Sequence, residues 1–257
     1  MIEIYNEDCL TTMNNMDLES VDIVVTSPPY NNSRNFSEYN MKSGNCRYSE
    51  YQDNKTNEEY CDWMVDIFNG YDRVLKKNGV VLFNVSYGGE NPNVMFDMLH
   101  SVTSKTKFMI ADMICWKKSS AFPNDSTKNK LTRIWEPVFV MCRENEYKTF
   151  MCAKKVVSYS RTGQPFYSNM FNFIQAPNND GQVEINKATF SKGLVLQLLN
   201  MYVEDKENTV VYDSFMGTGT TAVACKEFGV SCIGSEISKA QCDYANNRLN
   251  QTQKSLW

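Results

Sequence analysis

Six short apolar runs rich in β-branched residues constrain the fold of this chain more than any other feature. They are VDIVV (21–25), GVVLFNV (79–85), MIADMICW (109–116), EPVFVMC (136–142), NTVVYD (208–213) and VSCIG (230–234). Most are nearly continuous rather than alternating, the pattern of strands covered on both faces in a mostly parallel sheet. Helical patterns lie between several of them. In NEEYCDWMVDIFNGYDRVLKKNG (57–79), Tyr60, Met64, Ile67, Phe68, Tyr71 and Leu75 fall at helical spacing, and Gly79 reads as the stop. Further helices are expected over 93–102, 191–203, 220–229 and 238–251. Strands alternating with helices predict a doubly wound α/β fold, and 257 residues suffice for one such domain.

Long stretches without either period occupy 31–54, 117–132 and, less regularly, 158–187. Loops of this length in a compact domain are functional or disordered. The first carries Arg34, Phe36, Tyr39, Arg47, Tyr48 and Tyr51, which favours a binding loop. The net charge of −4 argues against a nucleic-acid partner, but the average hides an asymmetry. Between Ser101 and Arg161 stand twelve Lys and Arg against five Asp and Glu. A local basic tract on an acidic protein can form a phosphate-binding surface.

The N-terminal MIEIYNEDCL has no basic start followed by an apolar stretch, so no signal peptide is expected. No run approaches the ~18 apolar residues of a membrane span. Nine scattered cysteines with no C-x-x-C, and a single histidine (His100), predict no metal cluster; reduced core thiols in a cytoplasmic compartment are the expectation.

The stretch VVYDSFMGTGTTAVACKEFG reads as strand, tight turn, helix. Gly217 and Gly219 permit positive φ and close approach of a ligand, and the helix start offers unpaired N–H groups. The next strand ends in Glu236, placed to grip ribose hydroxyls. Gly217-x-Gly219-x-x-Ala222 with that acid also matches a dinucleotide fingerprint, so a nicotinamide oxidoreductase is one reading. Asp213 at the strand end would repel a pyrophosphate and suits a ligand with an amino group and a sulfonium.

A second short stretch, TSPPY (26–30), follows the first apolar run. Two prolines fix φ and restrict the residues before them, so Ser27-Pro28-Pro29-Tyr30 is a rigid platform. A serine hydroxyl and a proline carbonyl held together can accept both hydrogens of one exocyclic amino group. Such acceptance in tetrahedral directions favours a pyramidal nitrogen and frees its lone pair. Tyr30 offers a face for a base to stack on.

TSPPY with downstream DSFMGTGTT and IGSEIS resembles the amino-directed, S-adenosylmethionine-dependent DNA methyltransferases, in the permuted β-class motif order. The resemblance covers most of the chain and implies a Rossmann-like methyltransferase sheet with a small inserted target-recognition region. It divides a single domain (1–257) into a catalytic half (1–116), a target-recognition region (117–187) and a cofactor half (188–257). Ser27 and the Pro28 carbonyl would bind the target amino group, and Tyr30 would stack on the flipped base. NEDCL would bring Asp8, with Cys9 beside it, to the cofactor's adenine, and Ile237 would pack on that ring. Phe215, Gly217, Gly219, Thr220 and Thr221 would surround the methionine portion, Asp213 would face its amino group, and Glu236 would hold the ribose. ATFSKGLVLQLL resembles the segment lining the methionine pocket, through Phe190 and Lys192, with Ser191 where the family usually has proline.

Double-stranded DNA is the implied partner, contacted by Arg34 in the first loop and by Lys117, Lys118, Lys128, Lys130 and Arg133 in the second. A second copy of the chain is a candidate partner for gripping DNA. Serine in the first motif position favours cytosine N4 over adenine N6 as the target. No proline precedes a cysteine, which argues against a covalent cytosine C5 route. A protein-glutamine methyltransferase would carry asparagine first and the motifs in reverse order. A non-catalytic DNA-binding module would explain the basic tract but not the intact glycine turn.

Overall fold

The computed structural model describes residues 1–31, 55–87, 91–121, 123, 128–181, 186 and 189–252. Ten strands are seen among them: β1 (Ile2–Tyr5), β2 (Val21–Thr26), β3 (Leu75–Asn84), β4 (Phe108–Lys118), β5 (Trp135–Arg143), β6 (Val156–Tyr159), β7 (Pro165–Tyr167), β8 (Phe173–Ala176), β9 (Val210–Asp213) and β10 (Ser231–Ser235). The helices are α1 (Cys9–Asn15), α2 (Asn57–Val74), α3 (Val94–Lys105), α4 (Lys192–Tyr202), α5 (Thr220–Phe228) and α6 (Lys239–Gln251). A short 3-10 turn, Glu144–Glu146, follows β5.

Eight strands form one sheet in the order β1-β10-β9-β2-β3-β5-β4-β8, and β6 and β7 form a separate hairpin. Only β5 runs against its neighbours β3 and β4; the other pairings in the sheet are parallel. The expected mostly parallel, doubly wound sheet is therefore present. Each inner strand supplies side chains to both faces, as the pleat requires. On β3, Val80 and Leu82 enter the core under α4, α5 and α6, while Val81 and Phe83 enter the one under α1, α2 and α3. In the second core, Phe68 meets Tyr71, Phe83 and Phe108 edge-on at 5.1–5.4 Å, contacts each worth about 0.5–1.5 kcal/mol beyond their buried area.

Helix α2 begins at a reciprocal capping box between Thr56 and Glu59, which satisfies two amides that the first turn cannot. It ends at Val74, not at Gly79 as its spacing suggested. Leu75–Asn78 already belong to β3. Gly79 serves another purpose: a Cβ there would lie 3.0 Å from the Asp22 and Lys76 carbonyls, so glycine lets the backbones approach. The short β1, β6, β7 and β8 and helix α1 fall outside the expected elements. Strands β5 and β8, within 117–187, belong to the central sheet, and the β6–β7 hairpin stands outside it. Among the described residues no helix is long and apolar enough to cross a membrane.

What positions the site is the pairing of β2 with β9. These strands lie about 190 residues apart in sequence, and Val24 stands beside Tyr212. From β9 the chain crosses by α5 on one face; from β2 it crosses by α2 on the other. The connections part at the carboxyl ends of this pair and leave a crevice, the usual ligand position in doubly wound sheets.

Candidate active site

A cleft opens at that crevice. The loop after β2, the start of α1, the glycine turn after β9, and the end of β10 all contribute to its wall. Ser27, Pro29, Gly217 and Glu236 line this one cavity, so the proline platform and the glycine turn share a space.

Asp213 ties the two halves together from below. It is buried, and its carboxylate accepts from Thr26 Oγ1 at 2.7 Å, Thr221 Oγ1 at 2.5 Å and the Phe215 amide at 3.0 Å. Burial pushes its carboxyl above the ordinary range, partly offset by those three donors. Asp213 and Thr221 are not among the residues that line the cleft; they bond to each other beneath it. Two buried tyrosines extend the brace. Tyr71 Oη lies 2.5 Å from Ser214 Oγ, and Tyr212 Oη lies 2.8 Å from Ser235 Oγ.

The turn owes its shape to left-handed backbone at Gly217 (φ 55°) and Gly219 (φ 83°). A Cβ on Gly219 would come within 2.7 Å of Ala245 Cβ, so α6 packs directly against the turn. Gly219 caps α5, lets that helix start abruptly, and itself stays out of the lining, whereas Thr220 enters it. The Glu236 carboxylate accepts from the Gly217 amide and from the Ser238 amide, both at 2.8 Å.

Asp8 caps α1 by accepting from the Leu10 amide at 2.8 Å and lines the cleft with Cys9. Burial, reinforced by Asp8, pushes the Cys9 thiol up to about 12, so it stays neutral at physiological pH. Ile237 lies at the cleft edge with 63% exposure, an apolar lip open to a flat ring. Phe190 reaches the cleft, but Lys192 turns away to pair with Glu227 at 2.6 Å. Ser191, in place of the usual proline, caps α4 through the Leu194 amide at 3.2 Å.

The cleft also recruits residues that sequence reasoning missed. Trp63 of α2 lines it and meets Phe215 edge-on at 5.5 Å, while Tyr60, one turn earlier, donates to the Pro29 carbonyl at 2.8 Å. Asn186 and Gln241 join across the cleft wall at 2.7 Å. Tyr60 falls on the buried stripe of an amphipathic helix and the half-buried Trp63 packs beside it, and nothing in their spacing separates a site residue from a core residue. Thr218 had a signal, its position between the two glycines.

The residues fit S-adenosylmethionine. Thr218 lines the cleft and its Oγ1 is buried without a partner, an unmet polar group that a ligand with an ammonium and a carboxylate would satisfy. Glu7, Asp8 and Glu236 put acidic groups around a cavity that would receive a cationic ligand.

A family model described as DNA methylase, covering N6 and N4 methyltransferases, matches residues 21–247. The chain belongs to this family. It is a DNA methyltransferase directed at exocyclic amino groups, and its methyl donor is S-adenosylmethionine. It is 26% identical to the orphan methyltransferase M.BamHII of Bacillus amyloliquefaciens over 90% of this chain and 89% of that protein. It is 22% identical to the type II methyltransferase M.SmaI of Serratia marcescens over 94% and 88%. Among solved structures, the PvuII DNA methyltransferase (cytosine-N4-specific) superposes with a TM-score of 0.67 at 18% identity, covering 99% of this chain and 94% of that one. The M1.HpyAVI–SAM complex superposes at 0.59 with 18% identity, covering 97% and 100%. The oxidoreductase and binding-module readings end here.

The residues expected to touch DNA are placed unequally. Arg34 lies outside the described residues. Lys128 and Lys130 are exposed, and Lys117 Nζ lies 3.4 Å from Gln175 Oε1. Arg133 stacks on the Tyr87 ring at 4.8 Å and donates to the Tyr87 carbonyl. Lys118 is drawn inward: it pairs with Glu136 at 2.6 Å, both side chains only about one-fifth exposed, and sits over the Trp116 ring.

Proposed function

We propose that this DNA methyltransferase modifies cytosine at N4, in a specific double-stranded sequence, after flipping the base into the cleft beside Ser27. The observation that carries the reading is the shared cavity, which Ser27 and Pro29 of the platform line together with the glycine turn. Serine in the first motif position supports cytosine, as does the likeness to a methyltransferase described as cytosine-N4-specific. Adenine N6 is the competing target, because the same acceptors would receive its amino group.

Bound S-adenosylmethionine supplies an electrophilic methyl on a sulfonium. The chain's own residues do the rest. Ser27 Oγ and the Pro28 carbonyl accept the two amino hydrogens and ease the positive charge that develops on nitrogen. Tyr30 gives the base a stacking face. Tyr60 holds the loop through the Pro29 carbonyl, and Trp63 with Phe215 narrows the space where water would compete. Phe215, Gly217, Thr218 and Thr220 hold the methionine portion, Glu236 the ribose, and Asp8 and Ile237 the adenine. Lys117, Lys128, Lys130 and Arg133 meet phosphates or base edges, with 117–187 supplying the sequence-reading surface.

The test is incubation with labelled S-adenosylmethionine and mixed-sequence DNA, followed by nucleoside mass spectrometry. N4-methylcytosine is expected; N6-methyladenine would overturn the choice of base, and unlabelled DNA would overturn the reading altogether. Ser27→Ala is expected to lower turnover about 10–100-fold, the scale of one hydrogen bond to a group developing charge, with cofactor binding retained.

A further inference from the structure

Because β5 runs against its neighbours, its first residues arrive at the same sheet edge as the ends of β3 and β4. That reversal brings Glu136, Asn84 and Lys118 up to the proline platform. Tyr30 Oη is the centre of the resulting network. It lies 3.3 Å from Ser27 Oγ, 3.3 Å from Asn84 Oδ1 and 3.5 Å from Glu136 Oε2. The contacts are long, as catalytic hydrogen bonds often are before substrate binds.

The chemistry of the far ends sets the direction of this chain. Glu136 Oε1 takes the Lys118 ammonium at 2.6 Å, leaving Oε2 towards Tyr30, and a carboxylate can only accept. Asn84 donates its amide to the Pro137 carbonyl at 3.0 Å, which fixes its oxygen towards Tyr30. Both ends therefore draw the phenolic hydrogen, and Tyr30 Oη is left to accept from Ser27.

We propose that Glu136 and Asn84 are positioning residues that act through Tyr30 to make the Ser27 hydroxyl a donor, so that its lone pairs face the target amino group. A serine free to rotate would present its own hydrogen to that group for part of the time. The proposal rests on the reading of Ser27 as the amino-group acceptor. It also gives the tyrosine hydroxyl a role that stacking alone does not require.

The experiment measures single-turnover methyl transfer from labelled S-adenosylmethionine to unmethylated plasmid DNA of mixed sequence. In Glu136→Gln, Lys118 holds the side-chain oxygen and the amide nitrogen turns to Tyr30, which opposes the native direction. The rate is expected to fall about tenfold, the scale of one misdirected hydrogen bond, with KM for DNA and cofactor affinity unchanged. In a Tyr30→Phe or a Ser27→Ala background the same substitution should cause no further loss, because the chain is already cut. Tyr30→Phe keeps the ring and should itself slow transfer, and it should add nothing to Ser27→Ala, a comparison that holds even if Glu136→Gln does not fold. Additive losses in either background would overturn the relay while leaving Ser27 as acceptor. Full activity of Ser27→Ala would instead overturn the acceptor reading beneath it.

Discussion

Replacing Gly219 with alanine tests how tightly the cofactor turn is built. Two penalties arise at this position. Left-handed backbone at φ 83° costs a non-glycine residue about 1–2 kcal/mol. The new Cβ would stand 2.7 Å from Ala245 Cβ and 3.0 Å from Ala245 Cα, so relief requires helix α6 to move, a packing cost of about 1–3 kcal/mol. Together they predict a loss of about 2–5 kcal/mol, or roughly 4–20 °C in melting temperature for a domain of this size. Gly163 supplies the control. Its φ is also 83°, but a Cβ there meets nothing within 4 Å, so Gly163→Ala carries at most the backbone penalty of about 1–2 kcal/mol. Equilibrium urea unfolding of both variants reads the difference, and calorimetric titration with S-adenosylmethionine should show weakened binding for Gly219→Ala alone. Equal stability losses in the two variants would refute the contact with Ala245. Unchanged cofactor affinity in Gly219→Ala would refute the role of the turn.

Thr218→Val removes a buried hydroxyl that has no partner and keeps its shape, so the unliganded protein should be as stable or slightly more so. Cofactor affinity should fall about 5–10-fold, the worth of one hydrogen bond, and titration calorimetry would show it. Asp213 has its folded value raised by burial, so the folded state binds a proton more readily than the unfolded one. Its contribution is greatest below the unfolded value of about 3.9 and is lost as pH rises through the folded value. The stability of wild type minus that of Asp213→Asn should therefore decline with rising pH across that window, and a flat difference in urea midpoints would contradict this. Tyr60→Phe deletes the bond to the Pro29 carbonyl and should lower turnover more than it lowers cofactor affinity, at a stability cost of about 1 kcal/mol.

Much of this site was legible in one dimension because its chemistry is local. A rigid Ser-Pro-Pro-Tyr needs only its own prolines to be rigid, and a Gly-x-Gly turn needs only its own missing side chains. The apolar runs marked β2, β3, β4, β5, β9 and β10, most of which carry buried residues in succession, as over 23–26 and 211–213. β1, β7 and β8 left none, because each carries too few consecutive buried residues to form a pattern. Helix α2 misled at its end for the opposite reason: Leu75 continues the helical spacing, but its backbone is already extended and paired beside Val21.

Sequence alone determined the class of fold, the two motifs and hence the cofactor and the kind of atom methylated. Tertiary structure decided which side chains do more than their type suggests. Lys118 reads as a phosphate contact in a basic tract, and the fold pairs it with Glu136 beside the platform. Asp213 reads as a ligand contact, and the fold adds hydrogen bonds to its oxygens from Thr26 and Thr221. These assignments depend on which strands become neighbours and which of them runs backwards. Sheet order is set by the burial of whole faces against helices, a property of the assembled sheet that no local stretch of the chain encodes.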